Sequence, residues 1–345
     1  MPRLVILAFV TLVGALALVP RGFWWTGRTP AAPLEMVEGG PEVAMAGRLW
    51  IDTDAACGAG PQTDPDDCFA VLWLLGRGAD VVGISTSFGN APGAVVQDRM
   101  AALVAEMRKE GMAVPPIHAG FPGPRDRANP TPEAVGALRA ALEAGPLTIL
   151  ALGPMTNLAA ALDGRPDLTA KVQRVVAVMG HQEGHLFHPS EGNGRGAMLG
   201  HGPIFRDLNA RVDIAAVRDV LALDLPITLI PYDAGRGVVI TGRDLQLYAR
   251  QGQAQGWLAA TAQDWLGFWR SEVGTEGFYP FDWVAAAYVV EPQLFDCAPV
   301  RTEVRREWAL WLFPLEGLVV SPATGGAALY CPKVAEGLHD LLLTP

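Results

Sequence analysis

A chain of 345 residues, half of them apolar, can form one large hydrophobic core, and this length does not require a second domain. The net charge of −10 argues against a nucleic-acid-binding protein, because phosphate backbones are held by a basic face. The acidic balance instead favours an enzyme that acts on a small molecule.

The N-terminus carries a short apolar run at residues 4–19, between Arg3 and Arg21. The run is shorter than the ~20 residues that a membrane-spanning helix needs, and it has the length of a signal-peptide core. Ala15 and Ala17 have the spacing of a cleavage site, whereas the nearby Arg21 leaves an uncleaved anchor open. The run therefore predicts a signal peptide or an N-terminal membrane anchor.

This N-terminal segment divides the chain into three predicted parts. Residues 1–22 form the signal peptide or anchor, and residues 23–46 form a linker that contains proline and glycine. Residues 47–345 form the catalytic domain. We expect an exported or membrane-anchored protein whose catalytic domain lies on the exported side of the membrane.

Four cysteines leave the redox state open. Cys57 and Cys68 flank an acidic loop, and Cys297 and Cys331 lie near the C-terminus. An exported protein can pair either couple as a disulfide. Their spacing repeats no zinc-binding pattern.

An apolar run at residues 49–51 leads into a cluster of acidic residues. Five carboxylates fall within sixteen positions: Asp52, Asp54, Asp64, Asp66 and Asp67. Such a cluster repels itself unless protons or a cation neutralise it, and oxygen ligands without a histidine or cysteine set favour calcium or magnesium over zinc. The alternative is that Asp66 or Asp67 caps a helix at residues 68–75, which would account for one or two of the five.

Apolar runs alternate with helical patterns from residue 47 onwards, as in an α/β domain. The runs that predict buried strands cover residues 49–51, 80–87, 147–152, 175–180 and 225–231. The helical patterns cover residues 68–75, 94–111 and 132–144. We expect one open, mostly parallel sheet flanked by helices, with a binding crevice at the carboxyl ends of the strands.

Two further groups of residues are assigned to structure rather than to function. Trp265 and Trp269 have helical spacing on a predicted helix at residues 257–269, so we expect both to pack in the core. Four histidines after residue 180 repeat no zinc spacing, so we expect them in a solvated loop. They are His181, His185, His188 and His201.

Four blocks, in this order, resemble the inosine-uridine-type nucleoside hydrolases. The first block has Asp52 and Asp54, then Asp66, Asp67 and Ala70, where the family has Asp-x-Asp and Pro-Gly-x-Asp-Asp-x-x-Ala. The connecting loop is longer than in the family and lacks the Pro-Gly dipeptide. The later blocks are residues 153–159, 206–213 and 279–288. The resemblance implies the Rossmann-like fold of these hydrolases.

The resemblance also implies a Ca²⁺ cofactor and a division of roles. The calcium ligands would be Asp54, Asp67, the backbone carbonyl of Leu152, and Asp282. Asp54 would in addition be the general base that activates a water molecule. The implied substrate-binding residues are Asp66, Asn90, Met179, Asp207, Asn209 and Phe281.

The chain departs from the family pattern at the ribose and at the base. Asp207 stands where the family has a glutamate, which is one methylene longer, and a further upstream asparagine corresponds to either Asn193 or His201. Phe281 replaces a histidine that protonates the leaving base in many members. This replacement indicates the purine-preferring branch, in which an aromatic ring stacks on the base.

The resemblance predicts hydrolysis of the N-glycosidic bond of a small-molecule ribonucleoside, with no nucleic-acid partner. Two alternatives stay open: a non-catalytic calcium-dependent nucleoside- or sugar-binding protein, and a haloacid-type phosphatase that uses the Asp52-Thr53-Asp54 pattern with Mg²⁺. The sequence also leaves open membrane anchoring and a homo-oligomer.

Overall fold

The computed structural model describes residues 33–41, 45, 47–126, 130–182, 207–309, 313–326 and 328–344. The apolar run at residues 4–19 and the residues His185, His188, Asn193 and His201 lie outside these ranges. Within them, every helix is too short or too polar to cross a membrane.

Twelve strands are present in the described ranges. In chain order they are β1 Arg48–Thr53, β2 Asp80–Thr86, β3 Ile117–His118, β4 Leu147–Ala151, β5 Val172–Ala177, β6 His181–Gln182, β7 Ile227–Leu229, β8 Ile240–Thr241, β9 Gly277–Phe278, β10 Phe295–Ala309, β11 Phe313–Pro322 and β12 Ala328–Val334. Strands β8 and β9 form a separate antiparallel pair, and the other ten strands form one sheet.

The helices in the same part of the chain connect and cover these strands. They are α1 Asp66–Gly76, α2 Gly93–Lys109, α3 Glu133–Ala144, α4 Thr156–Leu162, α5 Pro166–Thr169, α6 Leu208–Val212, α7 Ile214–Leu221, α8 Tyr232–Gly235, α9 Gly242–Tyr248, α10 Gln253–Thr261, α11 Gln263–Phe268, α12 Phe281–Val290 and α13 Leu338–Leu342. A π-helical turn at Trp269–Val273 follows α11, and a 3₁₀ turn at Pro292–Leu294 follows α12.

The large sheet has the strand order β3-β2-β1-β4-β5-β7-β12-β10-β11-β6. The strands from β3 to β12 pair in parallel, and β10 pairs antiparallel with β12 and with β11. Strand β4 is buried at every position because separate hydrophobic clusters cover the two faces of the sheet. The prediction of an open, mostly parallel sheet flanked by helices is confirmed.

Helix α1 begins two residues earlier than the sequence predicts. Pro65 is at the N-cap position and makes no side-chain cap hydrogen bond, while Oδ1 of Asp64 accepts from the Asp66 amide at 3.2 Å. Asp66 and Asp67 lie inside the first turn with about 1% of their surface exposed. Neither is the N-cap residue, although both stand where a negative charge favours the helix dipole.

His181 differs from the predicted solvated loop. It lies in β6, is only 4% exposed, and pairs with Val319 of β11. Gly317 leaves the necessary space, since a Cβ atom there would lie 2.8 Å from Cε1 of His181.

Part of the predicted linker pairs with the sheet. The Val37 amide donates to the Cys297 carbonyl at 2.7 Å, and the Cys297 amide donates to the Val37 carbonyl at 3.1 Å. Cys297 lies at the start of β10, on the side that β11 covers only from Val300 onwards. The linker boundaries themselves stay a prediction.

Both cysteine couples that the sequence left open form disulfides. Cys57 and Cys68, with Cα atoms 6.2 Å apart, join the acidic loop to α1. Cys297 and Cys331, with Cα atoms 4.0 Å apart, join β10 to β12. All four cysteines of the chain are therefore paired.

Candidate active site

A cavity of about 660 Å³ opens at the carboxyl ends of the parallel strands. Asp54 follows β1, Asn90 follows β2, Leu152 follows β4 and Met179 follows β5, so the topology of the sheet brings them together. All ten residues predicted from the sequence line this cavity: Asp54, Asp66, Asp67, Asn90, Leu152, Met179, Asp207, Asn209, Phe281 and Asp282.

One side of the cavity is an acidic wall formed by Asp54, Asp66, Asp67 and Asp282. Ligand oxygens of Asp66, Asp67 and Asp282 lie within 4.8 Å of one another. The Asp282 amide donates to Oδ2 of Asp66 at 2.8 Å. The Oδ1 atoms of Asp66 and Asp282 are buried and accept no hydrogen bond from the described residues. Buried carboxylate oxygens that converge without donors fit a divalent cation.

Asp54 is fixed by the backbone that follows β2. The Asn90 amide donates to Oδ2 of Asp54 at 2.7 Å. Gly89 has φ +149°, and a Cβ atom at this residue would lie 2.0 Å from the same oxygen. The absence of a side chain at Gly89 therefore lets the backbone approach Asp54 closely.

Burial and mutual repulsion raise the pKa values of the carboxyl groups in the acidic wall. Burial, with the negative charge of Asp67, raises the pKa of Asp54 well above its ordinary value. Burial, with the charge of Asp66, raises the pKa of Asp67 to about 7 and that of Asp282 well above its ordinary value. A cation bound among these groups would lower the pKa values, because it neutralises the repulsion.

Asp52, the first carboxylate of the cluster, lies beneath the cavity rather than in its wall. It is 1% exposed, and its Oδ1 accepts hydrogen bonds from Ser85 Oγ at 2.5 Å and from Asn157 Nδ2 at 2.8 Å. Burial raises the pKa of Asp52 to about 7. Asp52 thus fastens β1 to β2 and α4.

Asn209 holds two strand ends at the floor of the cavity. Its Nδ2 donates to the Leu152 carbonyl at 2.6 Å and to the Val178 carbonyl at 2.9 Å. The Leu152 oxygen has a second lone pair for a cation, because a carbonyl accepts two bonds. The Oδ1 atom of Asn209 accepts no hydrogen bond from the described residues.

Asp207 has both carboxylate oxygens engaged by the backbone. Oδ1 accepts from the Ala210 amide at 3.0 Å and caps α6, and Oδ2 accepts from the Gly180 amide at 2.6 Å. The Asp207 carboxylate, which is one methylene shorter than a glutamate, thus binds the local backbone. It has fewer acceptor positions left for a ribose hydroxyl.

Asn90 is engaged in a similar way by the acidic loop. Its Nδ2 donates to the Asp64 carbonyl at 2.7 Å, and its Oδ1 accepts from the Asp64 amide at 3.0 Å. The side chain of Asp64 in turn accepts from the Asp66 amide at 3.2 Å. Asn90 therefore connects Asp54 to the loop that precedes α1.

Four aromatic residues also line the cavity and form what we call the aromatic wall: Tyr232, Trp265, Phe268 and Phe281. The ring centroids of Tyr232 and Phe281 are 5.2 Å apart, as are those of Trp265 and Phe268. Gly235 leaves the space for Phe281, because a Cβ atom there would lie 2.4 Å from its Cδ1.

Sequence reasoning missed most of this wall. Trp269 is buried in the core as expected, and Trp265 is half-buried, packs against the same cluster and also lines the cavity. The predicted helix at residues 257–269 is divided between α10, α11 and a π-helical turn. Gln62 and Arg211 also line the cavity without having been predicted. The density of aromatic residues after residue 257 was the available signal.

The comparisons with known proteins agree with this geometry. Residues 49–310 match the family of inosine-uridine preferring nucleoside hydrolases, so the chain belongs to that family. It is accordingly an enzyme that hydrolyses the N-glycosidic bond of ribonucleosides. No curated protein sequence matches the chain.

Several solved structures share the fold at low sequence identity. A plant nucleoside hydrolase is 19% identical with a TM-score of 0.67, over 86% of this chain and 97% of that one. A purine-preferring ribonucleoside hydrolase from Gardnerella vaginalis is 18% identical with a TM-score of 0.67, over 86% and 96%. An inosine-guanosine nucleoside hydrolase is 19% identical with a TM-score of 0.64, over 86% and 97%.

Proposed function

We propose that this nucleoside hydrolase uses Ca²⁺, employs Asp54 as its general base and prefers purine ribonucleosides. The proposal rests on the acidic wall, where buried carboxylates converge at the C-terminal end of β1 and at the N-terminal ends of α1 and α12. Asp54, Asp67, Asp282 and the Leu152 carbonyl would hold the ion, with Asp66 beside them.

The donor set supports calcium over softer metals. The wall offers carboxylate and backbone oxygens, and no histidine or cysteine thiol is among the described residues that line the cavity. Hard oxygen ligands of this kind suit Ca²⁺. When bound, the ion would lower the pKa of a water molecule and orient the ribose hydroxyls.

Asp54 is the group that takes the proton from the attacking water. Its Oδ2 is held by the Asn90 amide, so its carboxylate keeps one orientation towards the cavity. Asp54 lines the cavity and is only 2% exposed, so the proton acceptor lies within the same buried site as the proposed cation. Attack at the anomeric carbon passes through an oxocarbenium-like state, as in other glycoside hydrolyses.

Asp66 and Asn209 hold the ribose hydroxyls beside that carbon. Asp66 keeps one buried oxygen without a donor among the described residues, and Asn209 keeps its Oδ1 for the sugar because its Nδ2 is engaged. Asp207 contributes less, since both of its oxygens accept from backbone amides.

The aromatic wall is the proposed seat of the base. A purine ring offers a larger face than uracil for stacking on Phe281 and its neighbours. Two of the structurally similar enzymes carry names that specify purine or inosine-guanosine substrates, which supports the same preference here.

We also propose that residues 1–22 direct export. The pairing of all four cysteines supports an oxidising compartment. Whether this segment is cleaved is measured by mass spectrometry of the N-terminal peptide of the protein isolated from the exported fraction.

The proposed function is tested by the release of free ribose from inosine, adenosine, guanosine and uridine, with calcium and with a chelator. We expect release that stops on chelation, resumes with calcium and is faster for purine ribonucleosides. Bound but uncleaved nucleoside would instead identify a binding protein, and hydrolysis of p-nitrophenyl phosphate would identify a phosphatase.

A further inference from the structure

The acidic wall comes from two chain segments that a long loop separates. Residues 55–65 lie between Asp54 and Asp66, where the family signature has three residues. A longer loop holds its two ends together less firmly, because its closure entropy grows with its length. A hydrogen bond from Thr53 Oγ1 to Asp67 joins the end of β1 to α1, and a covalent connection also joins these two segments.

The disulfide between Cys57 and Cys68 bypasses this loop. Only Ala55 and Ala56 separate Asp54 from Cys57, and Asp67 directly precedes Cys68. The covalent path between the two halves of the acidic wall is therefore as short as the connection in the family signature. Residues 58–67 form the loop that the disulfide closes.

The disulfide is built into the core rather than exposed at the surface. Cys57 and Cys68 are both 0% exposed and pack in the same cluster as Ala55 and Phe69. The far end of the loop is held separately, since the Asn90 side chain binds the Asp64 backbone. The segment from Asp54 to Asp67 thus has the disulfide as a covalent attachment, in addition to hydrogen bonds with Asn90 and with Thr53.

We infer that the Cys57–Cys68 disulfide is a positioning element of the acidic wall: it holds Asp54 beside Asp67 and thereby sets the affinity of the site for its divalent cation. The inference rests on the proposed function, because it takes the acidic wall to be the cation site. It assigns the disulfide a role in the site in addition to any stabilisation of the fold.

The second disulfide provides a matched control. Cys297 and Cys331 are also 0% exposed, but they join β10 to β12, whose backbones already pair with each other. Neither residue lines the cavity. Its loss tests what the removal of a buried disulfide does when the acidic wall is left intact.

The experiment compares Cys57→Ala/Cys68→Ala with Cys297→Ala/Cys331→Ala by calorimetric titration of the metal-free proteins with CaCl₂. We expect calcium to bind at least tenfold more weakly to the first variant and within twofold of wild type to the second. Saturating calcium should restore kcat for inosine in the first variant, because the residues of the site are unchanged. Equal calcium affinity in the two variants would overturn the inference.

A second measurement covers the case in which the first variant does not fold. In the Cys297→Ala/Cys331→Ala background, dithiothreitol reduces Cys57–Cys68 to two thiols and is itself oxidised to its cyclic disulfide, a transfer of two electrons and two protons. By thermodynamic linkage, the factor by which the disulfide increases the affinity for calcium equals the factor by which bound calcium shifts the thiol–disulfide equilibrium towards the disulfide. A tenfold factor lowers the reduction potential by about 30 mV. No shift with calcium, or unfolding of the protein on reduction, would contradict the inference.

The two proposals fail in different ways. Wild-type protein that binds calcium but releases no ribose contradicts the proposed function, while the titrations of the variants still decide the role of the disulfide. Ribose release with an unchanged calcium affinity in Cys57→Ala/Cys68→Ala contradicts only the inference. Wild-type protein that binds no calcium contradicts both.

Discussion

The acidic and aromatic walls line the same cavity but are held in place by different forces. Oδ2 of Asp54 accepts from the Asn90 amide, and Oδ2 of Asp66 accepts from the amide of Asp282 at the start of α12. Phe281 and Trp265 are positioned by ring contacts on short helices. The walls meet at the start of α12, where Phe281 and Asp282 are consecutive residues.

This difference separates two tasks. Polar groups fixed by directional hydrogen bonds suit chemistry, which depends on geometry. Aromatic side chains held by packing suit selection of a flat ring, since stacking tolerates small displacements. We therefore expect substitutions in the acidic wall to impair every substrate and substitutions in the aromatic wall to change the ranking of substrates.

The largest effect is expected for Asp54→Asn. The substitution removes the general base and a proposed cation ligand, so kcat/KM should fall by at least ~10²–10⁴-fold. The loss should be similar for inosine and uridine in a ribose-release assay. An asparagine amide cannot act as the general base. Retention of more than about a tenth of the wild-type rate would therefore show that Asp54 is not the base.

A smaller loss is expected when the contacts to the ribose are removed. Asn209→Ala should lower kcat/KM for inosine by roughly 10–100-fold, because a hydrogen bond near charged groups contributes about 1.5–3 kcal/mol. Wild-type enzyme should likewise discriminate against 2′-deoxyinosine, since a site built around hydroxyls rejects analogues without them. Equal rates on inosine and 2′-deoxyinosine would show that the acidic wall does not bind the 2′-hydroxyl of the ribose.

A selective change is expected for Phe281→Ala. Aromatic pairs contribute about 0.5–1.5 kcal/mol beyond their buried area, so kcat/KM for inosine should fall by about 2–12-fold. Uridine should be affected less, and the pH dependence of kcat/KM should keep its shape. A pH limb that disappears, or uridine as the best substrate of the wild type, would mean that the aromatic wall does not select the base.

The smallest effect concerns stability against pH, and its dependence on calcium should come from the acidic wall. Burial, with the charge of Asp66, raises the pKa of Asp67 to about 7. Groups whose folded-state pKa is raised stabilise the protein below their unfolded pKa and lose this contribution as pH rises through the folded value. Between pH 5 and 8, the Tm of the chelated protein should fall by a few degrees relative to the calcium-loaded protein.

Phe281→Ala is the control for this measurement. It should show the same pH-dependent gap between the chelated and the calcium-loaded protein, because it leaves the carboxylates in place. A chelated protein that gains stability over this range would show that the buried carboxylates are ionised without a cation.

Much of the fold could be predicted because its strands are continuous apolar runs. Strand β4 is buried at every position and is recognisable from composition alone. The place of Asp54 was predictable because it directly follows β1, whereas the roles of the carboxylates in the first turns of α1 and α12 came from the resemblance to the family. Helical spacing identified Trp265 as a packed residue but could not show that it also borders the cavity, which depends on distant parts of the chain.

Two other differences have similar causes. His181 is polar but forms an edge strand, because β11 offers backbone partners that are 138 positions further along the chain. Helix α1 begins at Asp66, two residues earlier than predicted, and its first acidic side chains line the cavity. In both cases the residues contact distant parts of the chain, β11 for His181 and the Asp282 amide for Asp66.

The pairing of Val37 with Cys297 bears on where the enzyme can be shortened. The family match begins at residue 49, which invites truncation just before β1. Removal of Val37 would uncover the start of β10, where β11 offers no partner before Val300. An uncovered strand edge recruits strands from other molecules. We therefore expect a chain that starts at Gly47 to aggregate more readily than one that starts at Pro33, although both keep every residue of the cavity.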